Sequence, residues 1–278
     1  MVCLMNFLII TTLIFYLLST AGYIIYLFLQ KDRLYKAGYY LLAIGFLCHA
    51  VLVCAESFIS GHIPVHNLRG TLLVAGLTIA GVFIVFQYKF KLKILGVYVA
   101  PLTASVIFIA SQLPDTPMQQ INNVFNSVWL ISHIVAIFIG EASFALACGI
   151  GIIYLVQERS IKNKTQGFFF RRLPSLELID NTGYRCIIIG FIVLSVGLIT
   201  GFVYAKFVWG RFWSWDPKEI WSMITWLLYA ALLHGRISTG WRGRKAAIMS
   251  IVGFAVLLFT FFGVNFLMEG HHGGFTRF

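Results

Sequence analysis

Five of the chain's seven tryptophans fall between Trp209 and Trp226, in the stretch WGRFWSWDPKEIWSMITW, around one Asp-Pro break between two apolar runs. Indole rings at this density make a rigid, flat, apolar surface that could hold a large planar ligand. Asp216, Pro217 and Glu219 fit a helix start, with Asp as N-cap, Pro at the first helical position and Glu three residues after the cap. The amides of such an end favour carboxylates and other anions, and Lys218 and Arg211 add positive charge at the same level. Trp209, Gly210, Trp213 and Trp215 precede the break, and Trp221 and Trp226 follow it, so the two groups could wall one cavity. An aromatic belt at a membrane interface also concentrates tryptophan, but a belt does not require a capping box embedded in it.

A large, flat, apolar ligand with acidic substituents suits aromatic walls beside a helix N-terminus, and haem has that shape and charge distribution. Its iron would need imidazole, the commonest protein ligand. His133 lies roughly eight residues into the fifth apolar span, about 12 Å deep by helical rise. His271 and His272 follow the last span on the same side, so a pair drawn from His133 and this tail could grip one iron from both faces. His234 stands seventeen residues after Pro217, about 25 Å along a helix, and cannot ligate the same iron. It is either an unrelated buried histidine or a sign that the ligand is handled at two depths. His49 sits mid-span as a reserve inner ligand or a core histidine, His62 and His66 belong to a loop, and Glu141 is an intramembrane acid eight residues after His133.

The elements that must position these groups are membrane spans. Hydrophobic residues make up 59% of the chain and charged residues 11%, against about 25% charged in a soluble domain. Eight spans are predicted, at 5–29, 37–57, 71–88, 94–113, 125–157, 183–207, 218–235 and 246–268. The first reads as a retained helix, because no small-residue cleavage site follows it. The expectation is an all-α polytopic integral membrane protein, with residues 1–278 as one membrane domain and 208–226 as a tryptophan-rich segment within it.

Orientation follows from the basic residues, which are retained on the cytoplasmic side. Lys31, Arg33, Lys36, Lys89, Lys91, Lys93, six between Arg159 and Arg185, and Arg236, Arg242, Arg244 and Lys245 make sixteen on one side. Arg69, Lys206, Arg211, Lys218 and Arg277 make five on the other. Both termini, the 58–70 and 114–124 loops and the tryptophan segment are then predicted to be extracytoplasmic. The net charge of +11 is accounted for by this asymmetry and by attraction to anionic lipid, without nucleic acid. The polar segment from Glu158 to Arg185, with Phe168, Phe169 and Phe170 before Arg171 and Arg172, is expected along the cytoplasmic interface. Cys3, Cys48, Cys54, Cys148 and Cys186 show neither Cys-x-x-Cys nor Cys-x-x-Cys-His spacing, which excludes a thiol oxidoreductase and a c-type cytochrome.

The run WGRFWSWDPKEIWSMITWLLYAALLH, from Trp209 to His234, resembles the WWD signature of haem-handling membrane proteins, and within them the CcsA/ResC component of system II cytochrome c synthase. SGHIPVHN at 60–67 and GVNFLMEGHHGGF at 263–275 are similar to further stretches of that family. The resemblance implies a haem lyase (holocytochrome c synthase) subunit that moves haem b from the cytoplasmic side and presents it for thioether attachment to the Cys-x-x-Cys-His of apocytochrome c. It implies His133 and His272 as outer axial ligands, with His271 as the alternative to His272, and His234 as one ligand of an inner transit site. The tryptophan segment would hold the haem, and a separate CcsB/ResB-type subunit would complete the inner site. The membrane would be the bacterial cytoplasmic (inner) membrane, with a thylakoid membrane as the alternative. The chain departs from the family pattern at Arg69-Gly70, where an acidic residue is usual, and in having adjacent tail histidines. A non-catalytic, HemX-like haem-binding or regulatory protein is the alternative function. A small-molecule transporter is disfavoured by the lack of an inverted repeat.

Overall fold

Runs of about 20 apolar residues cannot leave backbone groups unpaired in hydrocarbon, so they close their hydrogen bonds within helices. The computed structural model describes residues 2–114, 127–164 and 167–267, and among these it is all-helical. The long helices are α1 (Val2–Leu29), α2 (Asp32–Ser60), α3 (Leu68–Phe90), α4 (Gly96–Gln112), α5 (Val128–Lys162), α6 (Leu176–Trp209), α7 (Pro217–Ser238) and α8 (Arg244–Leu258). A 3₁₀ turn, Lys93–Leu95, precedes α4, and a π-helical turn, Phe259–Gly263, joins α8 to the short α9 (Val264–Leu267).

Within the described residues all eight predicted spans fall on helices. Among the described residues seven helices are long and apolar enough to cross a membrane; α7, with its tryptophans, serines and His234, is long enough but less apolar. Several helices outrun the predicted limits. At 35 residues α5 measures about 52 Å against a hydrocarbon core of about 30 Å, so its last turns carry Glu158, Arg159 and Lys162 beyond the apolar stretch. The segment expected along the interface is helical at both ends, through Lys162 and from Leu176.

The helices group into two compact units, one of α1–α4 and one of α5–α9. In the first, α1 and α2 cross where Gly22 meets Gly38, with Tyr16 and Tyr23 fully buried nearby. Lys93 pairs with Asp32 at 2.8 Å, which brings the basic α1–α2 and α3–α4 connections to one end of this unit. At the other end Gly61 (φ 74) closes α2, and Asn67 caps α3 by accepting from the Gly70 amide at 2.8 Å. Arg69 forms a buried ion pair with Glu56 of α2 at 3.0 Å. The acid opposite that loop therefore comes from a neighbouring helix.

In the second unit α5 and α6 lie along each other over most of their length. Gly183, Gly190 and Gly197 recur every seven residues on α6, facing Ile150, Phe144 and Ile137 of α5. In hydrocarbon such small residues let backbones approach, and close packing rather than exclusion of water drives association. A Cβ at Gly190 would meet the Phe144 ring at 2.7 Å and the Ser143 Cβ at 3.1 Å. Gly190→Leu is therefore expected to destabilise the α5–α6 pair by about 1–3 kcal/mol. Thermal denaturation in detergent would read this as a lowered midpoint, and an unchanged midpoint would refute this account of the packing. Phe144 also stacks on Tyr229 of α7, centroids 3.5 Å apart, and Gly151 packs against Ser250 and Ala247 of α8.

Candidate functional site

The tryptophan segment begins where α6 stops. Gly210 takes the left-handed conformation (φ 72), its N–H closes on the Lys206 carbonyl at 3.1 Å, and Lys206 Nζ donates to the Gly210 carbonyl at 2.9 Å. The chain then turns into α7 through the predicted capping box. Asp216 Oδ1 accepts from the Lys218 amide at 2.9 Å, and Glu219 Oε2 accepts from the Asp216 amide at 3.3 Å. Glu219 does more than the motif requires: it also accepts from the Ser214 amide at 2.8 Å and the Ser214 hydroxyl at 2.9 Å. One buried carboxylate thus holds two residues of the connecting loop through three donors.

Between those anchors Trp215 sits at φ 59, a left-handed backbone rarely taken by a bulky residue, and its side chain is 75% exposed. Such strain costs roughly 1–2 kcal/mol and persists only where the surroundings enforce it. The Trp215 ring stands edge-to-face to Trp213 at 5.7 Å, and Trp213 in turn rests on Phe202 of α6 at 5.7 Å. Trp209 meets Tyr204 at 6.4 Å. The two α7 tryptophans are held in helix packing. Trp221 lies against Phe259 in the π-helical turn at 4.5 Å. Trp226 stacks on Phe191 and donates its N–H to Ser195 Oγ at 2.8 Å.

His133, one turn into α5, is half-buried against α6. Its Nδ1 lies 2.7 Å from the Gly197 carbonyl oxygen. A carbonyl only accepts, so Nδ1 carries the ring proton and the lone pair stands on Nε2. Metal-binding histidines are oriented in this way by a backbone carbonyl. Gly201, one turn on, leaves room for the ring, since a Cβ there would lie 2.5 Å from Nδ1. Phe202, which carries Trp213, is the next residue, so His133 and the tryptophan segment share one end of this unit.

Glu141 is half-buried farther along α5. His234 is exposed near the far end of α7, which runs unbroken from Pro217 and so separates it from the capping box by about 25 Å. His271 and His272 lie outside the described residues, as does most of the 114–124 loop. In the first unit His49 is fully buried and its Nδ1 pairs with the Tyr16 hydroxyl at 3.2 Å. The His62 and His66 rings meet edge-to-face at 4.9 Å, with His62 Nδ1 donating to the Ile63 carbonyl at 2.9 Å. Cys48, Cys54, Cys148 and Cys186 all lie within helices.

These features define an all-helical, multi-span membrane protein with a rigidly capped, tryptophan-rich surface at one helix end and an oriented imidazole beside it. Residues 65–272 match the cytochrome C assembly protein family, and the chain belongs to that family. It is 34% identical over 268 residues to the cytochrome c biogenesis protein CcsA of Prochlorococcus marinus (strain MIT 9215), covering 88% of this chain and 86% of that one. It is 30% identical over 277 residues to CcsA of Guillardia theta (92% and 91% covered) and 33% over 263 residues to CcsA of Porphyra purpurea (80% and 82%). Its fold matches the solved structure of the cytochrome c heme lyase CcmF, with a TM-score of 0.66 at 16% identity, over 98% of this chain. The chain spans about half of that larger protein, 48% of its length.

Sequence reasoning did not reach the groups that orient the site. Gly197 and Gly201 were legible only as small residues at helical spacing, and Ser195 carried no signal marking it as a partner for Trp226.

Proposed function

We propose that this chain is the haem-handling membrane subunit of a system II cytochrome c synthase. It carries haem b, as substrate and cargo, from the cytoplasmic side to the tryptophan segment and presents it there for attachment to the Cys-x-x-Cys-His of apocytochrome c. It acts as a holocytochrome c haem lyase together with a CcsB/ResB-type membrane subunit. The observation that carries this reading is His133, whose Nδ1 proton is directed at the Gly197 carbonyl, beside a tryptophan-rich segment in which Trp215 is exposed. The cytochrome c biogenesis proteins to which the chain is similar support the same reading.

The residues divide the work. Trp213 and Trp215 offer faces to the macrocycle, while the α7 amides, Lys218 and Arg211 attract its carboxylates. His133 supplies one axial imidazole, and His272, or His271, supplies the other. His234, at the far end of α7, is a ligand of an inner site whose second ligand belongs to the partner. The asymmetry of sixteen basic residues against five supports an orientation with His234 toward the cytoplasm and both termini and the tryptophan segment outside. The membrane is a bacterial cytoplasmic membrane or a thylakoid membrane, relatives being found in cyanobacteria and plastids. The thiols add across the haem vinyl groups by chemistry intrinsic to haem and the cysteines. The chain supplies position and electrostatics and no acid or base.

Copurification of the full chain with its partner subunit, from a host lacking its own cytochrome c assembly proteins, is expected to yield bound haem with a bis-imidazole optical spectrum and to restore holocytochrome c. Absence of haem from the wild-type complex would overturn the proposal.

A further inference from the structure

We propose that Asp180 and Arg236 are the positioning pair for His234, fixing the direction in which the last turn of α7 presents that imidazole. The inference rests on the reading of His234 as a haem ligand.

His234 lies on the exposed face of α7, whereas Leu232 and Arg236, two residues to either side, are buried on the opposite face. Whatever grips Arg236 therefore holds the back of the turn whose front carries the imidazole. The grip is bidentate: Arg236 Nη1 donates to Asp180 Oδ1 at 3.0 Å and Nη2 to Oδ2 at 2.7 Å. A planar fork on a carboxylate admits one rotation of its donor, which a lysine ammonium would not impose. The guanidinium also lies over the Tyr184 ring, 4.2 Å from its centroid, one turn along α6 from Asp180.

The same carboxylate holds the next helix. Asp180 Oδ1 accepts from the Gly243 amide at 2.8 Å, where Gly243 is the N-cap of α8 in a glycine conformation (φ 64, ψ −126). Between these points the Gly235 carbonyl accepts from the Thr239 amide at 3.0 Å, the Thr239 hydroxyl at 2.7 Å and the Trp241 amide at 3.1 Å. The end of α7, the start of α8 and the start of α6 thus converge on Asp180. A buried ion pair adds little net stability over an apolar replacement, so what this one supplies is direction. Direction is what an axial ligand needs, because helix ends fray and ligating groups must be held to about 0.5 Å.

The test uses the full chain with its partner subunit. The His234-dependent haem is defined as the absorbance lost in His234→Ala, and the His133-dependent haem as that lost in His133→Ala. Arg236→Lys, which keeps the charge and removes the fork, is expected to lower the His234-dependent haem about tenfold, leave the His133-dependent haem unchanged and shift the potential of what remains. The exchange Asp180→Arg with Arg236→Asp is expected to recover part of the loss. In parallel, a nitroxide on His234→Cys, with the five native cysteines replaced by serine, is expected to gain mobility when Arg236→Lys is added. Unchanged haem and unchanged mobility would overturn the inference, as would equal loss of both haem populations. If His234→Ala loses no haem, the ligand reading fails, while label mobility still decides whether the pair orients position 234.

Discussion

Replacing His133 by Ala is expected to reduce the haem held at the tryptophan segment, and the holocytochrome c produced, to below about a tenth of wild type. If His133 is the axial ligand, the variant removes that imidazole outright, and the partner of its Nδ1 is a backbone carbonyl, which only orients the ring. A graded version exists. Gly201→Ala keeps the ligand but puts a methyl group 2.5 Å from Nδ1. It is expected to rotate the ring away from Gly197 and give an intermediate loss, with a shifted Soret band. Optical spectra of the purified complexes distinguish the cases. The same measurement on His271→Ala and His272→Ala identifies the tail ligand, whichever variant matches His133→Ala. Wild-type haem content and spectrum in His133→Ala would eliminate this histidine as a ligand.

Glu219→Ala is expected to loosen the tryptophan segment as a whole. Its carboxylate accepts from the Ser214 amide, the Ser214 hydroxyl and the Asp216 amide, so one substitution strands three donors and opens the capping box. Charge-assisted bonds and a lost cap together amount to about 3 kcal/mol of local stability. With the clamp gone, the left-handed Trp215 is expected to relax, because the amides on both sides of it, Ser214 and Asp216, lose their acceptor. At about 1.4 kcal/mol per decade, amide exchange at Ser214 and Asp216 should quicken roughly a hundredfold while exchange in α5 and α6 stays unchanged. Glu219→Gln keeps one acceptor and is expected to fall between. Wild-type protection in Glu219→Ala would show that the loop is held by something other than this carboxylate.

The two ends of α7 are fixed by different means. At one end the helix is fixed by its own capping box, which involves residues at most five apart in sequence. The other end is fixed by a carboxylate 56 residues away. The first device could form in an isolated peptide, whereas the second exists only when α6 and α7 are packed.

That division also separates what the sequence determines from what the tertiary structure decides. Apolar runs long enough to span hydrocarbon must become helices, so the order of the long helices follows from where apolar runs fall along the chain, with α7 marked by its cap as well. The Asp216-Pro217-Glu219 cap was legible because its partners are three residues apart, and the distance from the cap to His234 because a helix rises a fixed amount per residue. The helix limits were less legible. Helices run past the apolar stretch wherever polar residues continue them, as through Lys162 in α5 and from Leu176 in α6. Nothing local marks Gly197 as the acceptor that sets the His133 tautomer, Ser195 as the partner of Trp226, Glu56 as the counter-ion of Arg69 or Asp180 as that of Arg236. Each joins residues on different helices, and which faces meet is decided by small residues packing against large ones over whole helix lengths. Sequence therefore specified the candidate ligand and aromatic residue types and their spacing along the helices, and only the packed helices gave them direction.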